Sequence, residues 1–146
     1  MTDGNKQRIL KLKIDKKINF RIIGISSHEN DYRMVWAINQ KLGMRFLRID
    51  NLIVHNTKIK EDLEFSRYLF EDEDCYLKYY LISNRCPDGF LFPEVKNLDF
   101  VLQVTGEINS AKLKDILKKI KSVDVVSTAF ILQPESIKKI GDILVE

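Results

Sequence analysis

The sequence predicts an α+β fold, a mixed and mainly antiparallel sheet with two helices on one face, ferredoxin-like with additional strands. Three observations carry that expectation. Residues 91–105, LFPEVKNLDFVLQVT, end in the cleanest alternation of the chain: Leu98, Phe100, Leu102 and Val104 fall on one side of an extended backbone, Asp99, Gln103 and Thr105 on the other. A helical pattern and another strand follow, so this stretch opens a β-α-β unit whose first strand belongs inside a sheet. An earlier strand-helix-strand succession and an aromatic hairpin precede it, which gives two β-α-β segments flanking a hairpin.

At 146 residues a chain buries roughly two-thirds of its unfolded surface, so one ordinary core suffices. The expected organisation is a single domain over 8–146 after a polar, frayed 1–7. Hydrophobic content of 45% against 31% charged argues against a mainly disordered chain. The net charge of +3 lends nucleic-acid binding only weak support. An N-terminus reading MTDGNKQR, and the lack of an apolar run of membrane-spanning length, predict a cytoplasmic protein without a membrane partner. Cys75 and Cys86 match no zinc or redox spacing and read as free, core-type thiols, although a disulfide between them is geometrically open.

In order along the chain, Leu10, Leu12 and Ile14 alternate with lysines as in an edge strand. Ile18, Phe20 and Ile22 begin a second strand, and Ile23 and Ile25 make its far end apolar on both sides, the mark of a position covered twice. Ser26 and Glu29 stand at capping-box spacing before a helix whose apolar face is assigned to Tyr32, Val35, Trp36, Ile38 and Leu42, with Arg33, Gln40 and Lys41 outside and Gly43 as terminator. Residues 44–50 read as a return strand and 51–61 as a loop, unless Leu52, Ile53 and Val54 prolong the strand. Residues 63–70 and 75–83 form a hairpin with aromatic cross-strand pairs, and 84–89 a turn. Leu113, Ile116, Leu117 and Ile120 give the strongest helical stripe, opposite Lys112, Lys114, Lys118, Lys119 and Lys121. Residues 124–132 read as a covered strand, Pro134 as a short helical turn, and 143–145 as a last edge strand.

No segment supplies a catalytic or metal-binding motif. Glu71 to Asp74 could hold a hard cation but lack calcium-loop spacing, so a solvated hairpin tip is the simpler reading. The lysine face of the second helix could meet phosphates, yet it is equally the wet side of a helix. His28 and His55 lie far apart with no metal partner at ligand spacing, and Ser26 and Ser27 read as caps rather than nucleophiles. The polar residues singled out as a ligand-binding set are Asp31, Tyr32 and Arg33 at the first helix start, Asn84 and Arg85 after the hairpin, and Glu94 and Asp99. Each also has a structural reading as a turn residue, a cap or an ion-pair partner.

The stretch Phe92-Pro93-Glu94-Val95-Lys96-Asn97-Leu98-Asp99-Phe100 resembles the signature of the IPExxxVDY family, with Phe for Ile, Leu for Val and Phe for Tyr. The likeness extends to Asp31-Tyr32-Arg33 with Asn39-Gln40, to residues 79–85 and to Thr128-Ala129-Phe130, so it spans about 20–134. It implies a bacterial, cytoplasmic protein of a family without an assigned activity, and the missing phenol at Phe100 counts against any role that needs one.

With no nucleophile, base or metal constellation visible, the expectation is a non-enzymatic module without a cofactor. It would bind a partner protein or its own copy through a sheet edge or through aromatics exposed at Tyr68, Tyr76 and Tyr80. A small-molecule-sensing regulatory domain, by analogy with ACT-like folds, and RNA binding through the lysine helix and the aromatic strands are the alternatives.

Overall fold

The alternation in 98–105 becomes an inner strand of a six-stranded sheet. The computed structural model describes residues 20–137 and 140–144. Along the chain run β1 (Phe20–Ser26), α1 (Asp31–Leu42), β2 (Leu47–Asn56), β3 (Glu61–Asp72), β4 (Leu77–Ser83), β5 (Arg85–Cys86), β6 (Gly89–Phe90), β7 (Phe100–Thr105), α2 (Ser110–Lys121), β8 (Thr128–Leu132) and a short α3 (Ile140–Ile143). The large sheet has the order β2-β3-β4-β7-β1-β8, and β5 with β6 forms a separate two-stranded ribbon. Neighbouring strands in it pair antiparallel, so β7 and β8 run parallel with β1 between them, a split β-α-β unit. The segment β8-β1-β7-β4 with its two helices has ferredoxin-like order, and the β2–β3 hairpin widens it.

Both helices pack on one face. Met34, Val35 and Ile38 of α1 and Leu113, Ile116 and Ile120 of α2 share a core with Ile23, Ile25, Tyr79, Leu81, Phe100, Leu102 and Val104. The opposite face carries a second core: Phe20, Ile22, Ile82 and Val101 lie under Leu91, Phe92 and Leu98 of the 84–99 loop and under Ile140 and Leu144. This second cover explains why β1 is apolar on both sides, and why Gln103 and Thr105, the polar side of β7, are buried as well. Gly24 sits where a Cβ would approach Leu98 Cδ1 to 2.6 Å, so its missing side chain lets the loop close on β1.

Several sequence expectations change. Asn30, not Ser26, caps α1: its extended backbone (φ −74°, ψ 172°) turns Oδ1 to accept the Arg33 N–H at 3.1 Å. Ser27 Oγ instead donates to the Val125 carbonyl. Tyr32 and Trp36 are 65% and 67% exposed, because Met34, which the sequence reading left out, completes the inward stripe with Val35 and Ile38 and puts both aromatics on the far side. Gly43 ends the helix in the left-handed region (φ 66°), as expected. The expected loop over 51–61 is mostly strand, since β2 runs on to Asn56 and turns through 57–60 into β3.

The hairpin aromatics correct another expectation. Tyr68 is buried and Tyr80 half-buried, which leaves Tyr76 as the exposed member of the three. The expected aromatic pairing does occur, with the Phe70 and Tyr79 rings 5.6 Å apart across the strands. Cys75 is exposed at the turn, so it is no core thiol, and both cysteines are free. The strand expected over 124–132 begins only at Thr128 and is the last strand of the sheet among the described residues, with Phe130 exposed. Residues 140–143 are helical where a strand was expected to begin at Ile143, and Val145 lies outside the described residues, as do the strand expected over 9–15 and the frayed 1–7.

The 84–99 loop is held by Asn84, which is fully buried. Its Nδ2 donates to the Val95 carbonyl at 3.1 Å and the Leu98 carbonyl at 2.9 Å, and its Oδ1 accepts the Phe92 N–H at 2.8 Å. Asn84→Ala strands two buried backbone groups, the Leu98 carbonyl and the Phe92 N–H, takes one of two hydrogen bonds from the Val95 carbonyl, and is expected to cost about 3 kcal/mol or more, a fall in Tm of roughly 6–12 °C. Asn84→Asp, which sets a carboxylate oxygen against two carbonyls, is expected to be at least as damaging. Thermal or urea unfolding of both variants checks this.

Candidate functional site

Past the N-terminal turn of α1 the helix-bearing face of the sheet is open, and a cleft of about 360 Å³ lies there. Its floor is Glu64 and Ser66 of β3, Ser83 of β4 and Phe100 of β7. Its walls come from Glu29, Asn30 and Asp31, from Arg48 and Asn51, from Arg85, Cys86 and Pro87, and from Asp99. One wall exists because β2 bulges: pairing stops at Ile49 opposite Arg67 and resumes at Leu52 opposite Phe65, so Asp50 and Asn51 face Ser66 alone.

Two acid-base pairs organise the cleft. Asp31 Oδ2 accepts from Arg48 Nη1 at 3.1 Å and from the Tyr68 hydroxyl at 3.2 Å, and the Arg48 guanidinium lies 5.3 Å from the centre of the Tyr68 ring. Asp31 Oδ1 accepts the Tyr32 N–H at 2.8 Å, and Asn51 Oδ1 accepts from Arg48 Nη2. On the other side Asp99 Oδ2 accepts the Ser27 N–H at 2.7 Å, and its Oδ1 pairs with Arg85 Nη2. Asp99 is thus tied to the end of β1, and its own N–H donates to the Ile25 carbonyl.

Of the seven residues singled out from sequence, Asp31, Arg85 and Asp99 line this cleft. Asn84 lies beneath it as the loop clamp. Tyr32 and Arg33 are on the exposed side of α1, where Arg33 pairs with Glu29 at 3.3 Å. Glu94 is exposed on the 3₁₀ turn Pro93–Val95 and does not line the cleft. Arg48, Asn51, Glu64, Ser66 and Ser83 complete the site and were missed, because Asn51 reads as part of a loop and the others as the ordinary wet face of a strand.

A second concave surface follows α1 outward. Trp36, Ala37, Gln40 and Lys41 face Ser122 to Val125 across a groove of about 400 Å³, beside the exposed Tyr32. The other residues considered from sequence stand apart. His55 Nδ1 lies 2.9 Å from Asp62 Oδ1 on the exposed β2–β3 hairpin, and Glu71 to Asp74 lie at the β3–β4 turn, where Asp72 Oδ1 accepts the Cys75 N–H. Among the described residues no group of three His, Cys, Asp or Glu side chains converges as a metal site, and no helix is long and apolar enough to cross a membrane.

Comparison with models of known protein families finds no match, and comparison with curated proteins finds none.

Burial pushes the Tyr68 hydroxyl above its ordinary value of 10.0; the Arg48 hydrogen bond lowers it in part, while the Asp31 carboxylate raises it further. Tyr79 is raised too, first by burial. A folded state that holds these protons more tightly than the unfolded chain has their full contribution below the ordinary tyrosine value. It loses that contribution as pH rises through the raised one. Unfolding midpoints measured from about pH 9 to 12 should therefore decline at the alkaline end. Tyr68→Phe should make that decline shallower, and tyrosinate absorbance should show one late-titrating phenol fewer.

Proposed function

We propose that this chain is a protein-binding module, acting by contact rather than by catalysis, and that α1 presents its recognition surface. The observation that carries this reading is the pair Tyr32 and Trp36, one helical turn apart, each about two-thirds exposed beside the groove floored by Ala37, Val123 and Val125. An indole left in water is an unused source of binding energy: covering about 100 Å² of apolar surface is worth about 2.5 kcal/mol. Trp and Tyr are also the residues that most often dominate interfaces. Arg33 and Lys41 outnumber Asp124 among the charges that line the groove, and the last turn of α2, with Lys118 and Lys121, leads directly into Ser122. That rim favours a partner segment with an apolar anchor for Trp36 and acidic flanks, whereas pairing with a second copy would repeat the same basic rim on both sides.

RNA binding draws less support, since Tyr68 and Tyr79 are buried and the aromatic strands offer no stacking platform. The pairing of the two aspartates at the cleft also speaks for binding over catalysis: Asp31 and Asp99 are each held by an arginine. The resemblance to the IPExxxVDY family is part of the same proposal, with the signature stretch 92–100 serving as the loop that Asn84 clamps.

A photo-crosslinking residue at Ala37 in the full chain, expressed in its host, should yield a discrete adduct with another protein. The same residue at Lys58, on the far hairpin, should not. Trp36→Ala should abolish the adduct while changing stability by no more than about 0.5 kcal/mol, since the side chain is exposed. A crosslink between copies, equal capture from both positions, or captured RNA with affinity falling steeply with salt would overturn the proposal.

A further inference from the structure

The cleft beyond α1 has a charge pattern that its own ion pairs leave incomplete. Arg85 gives one N–H of Nη2 to Asp99 and its guanidinium makes no other hydrogen bond among the described residues, so the second Nη2 N–H and the donor beside it leave one edge of the planar group open at the rim, with the side chain 52% exposed. Arg48 is more fully engaged, with Asp31, Asn51 and the Tyr68 ring. Glu29 is balanced by Arg33, which lies outside the cleft. The side chain of Glu64, exposed on the floor strand, makes no ion pair or hydrogen bond among the described residues, so it is the cleft carboxylate left without a counter-charge. Between these poles, Ser66 and Ser83 bring neutral hydroxyls. The Ser83 hydroxyl donates to the Arg85 carbonyl and accepts the Arg85 N–H, which fixes the residue that presents the fork.

We propose that this cleft binds a small zwitterion, a molecule bearing a primary ammonium and a carboxylate, such as a free α-amino acid or the paired termini of a very short peptide. The carboxylate would take the free edge of the Arg85 fork, the geometry in which arginine recognises planar anions. The ammonium would meet Glu64, and the cleft's single uncompensated negative charge selects a cationic group for that end. A volume of about 360 Å³ suits a ligand of this size and lies at the lower end of ordinary small-molecule sites. Asp99 keeps Arg85 oriented without consuming its second edge, and the Ser27 N–H keeps Asp99 in place. The site lies apart from the Trp36 groove and is independent of the protein-binding reading.

The test is calorimetric and thermal-shift titration of the full chain with the common amino acids at millimolar concentration, with acetate and methylamine as single-charge probes. One or more amino acids should raise Tm and give a saturable isotherm, and each single-charge probe should bind at least about tenfold more weakly, a loss of about 1.4 kcal/mol. Glu64→Gln, a change at an exposed side chain, should weaken binding by about tenfold or more with Tm unchanged in the absence of ligand. Arg85→Gln should weaken binding as much, with some fall in ligand-free Tm because Asp99 loses its ion-pair partner, and Arg85→Lys should restore only part of the affinity, since a point charge lacks the fork. Trp36→Ala should leave the isotherm as it is. No saturable binding by any amino acid, acetate binding as tightly as the zwitterion, or affinity indifferent to Glu64→Gln would overturn the assignment.

Discussion

The structure depends on one buried carboxamide. One face of the sheet is covered by two helices, whose backbone groups are satisfied internally, but much of the other is covered by the 84–99 loop, whose peptides need partners before they can be buried. Asn84 supplies them. Its side chain takes the Val95 and Leu98 carbonyls and the Phe92 N–H, while its own N–H and carbonyl bond to the Asp99 carbonyl and the Leu91 N–H. No other side chain of that size offers two donors and an acceptor on a planar group, so the position is chemically narrow. With the loop so folded, Leu91, Phe92 and Leu98 close the second core, and Asp99 leaves the core at a fixed point with its carboxylate between Ser27 and Arg85. The cleft is therefore anchored to the packing beneath it.

The cleft itself follows from a mismatch of lengths. A helix of twelve residues such as α1 is about 18 Å long, whereas a strand of twelve residues such as β3 reaches about 40 Å. The helix covers Tyr68 and Phe70 and stops, and the rest of that strand face carries Ser66 and Glu64. Those side chains are polar because the helix does not reach them. They line a cleft, rather than a flat surface, because the β2 bulge and the Arg85 turn rise on either side.

Strong periodicity was legible in advance, and it belongs to elements whose cores are regular: β7 with Leu102 and Val104, α2 with Leu113, Ile116 and Ile120, and β1 with apolar residues on both faces. Where reading failed, the reason was local. Tyr32, Val35 and Trp36 taken alone describe an inward stripe on α1, but the buried Met34 turns that stripe and leaves Tyr32 and Trp36 outside. Asp50 and Asn51 interrupt the β2 alternation because they form a bulge, so the strand reads as ending at Asp50 and its continuation through Leu52, Ile53 and Val54 stays an alternative to a loop. The site was half legible. Asp31, Arg85 and Asp99 stood out as polar residues at turns and helix starts, but Arg48 and Glu64 look like any wet strand residue until the length of the facing helix is known. Asn84 was visible as a turn residue; its work on Val95 and Leu98 is a long-range matter that no local spacing reveals.

The cleft takes the first residue of α1 and the groove takes its outer side, so the way that helix is held bears on both. Its first turn is capped by Asn30, and Asp31, the next residue, is fastened across the cleft to Arg48 and Tyr68. At the other end Gly43 donates to the Asn39 carbonyl, while the Asn39 side chain accepts the Phe46 N–H and donates to its carbonyl, locking the turn into β2. A ligand shifts a conformational equilibrium only by the difference in its affinity for two states, and a helix fixed at both ends against a packed core is a poor element for a second state. The Glu29–Arg33 pair lies between the cleft and the aromatic face and neutralises the nearest charge on each side. The geometry therefore gives both proposed binding surfaces a rigid frame, in which fit to side chains already in place, and not a change of shape, is what can be tuned.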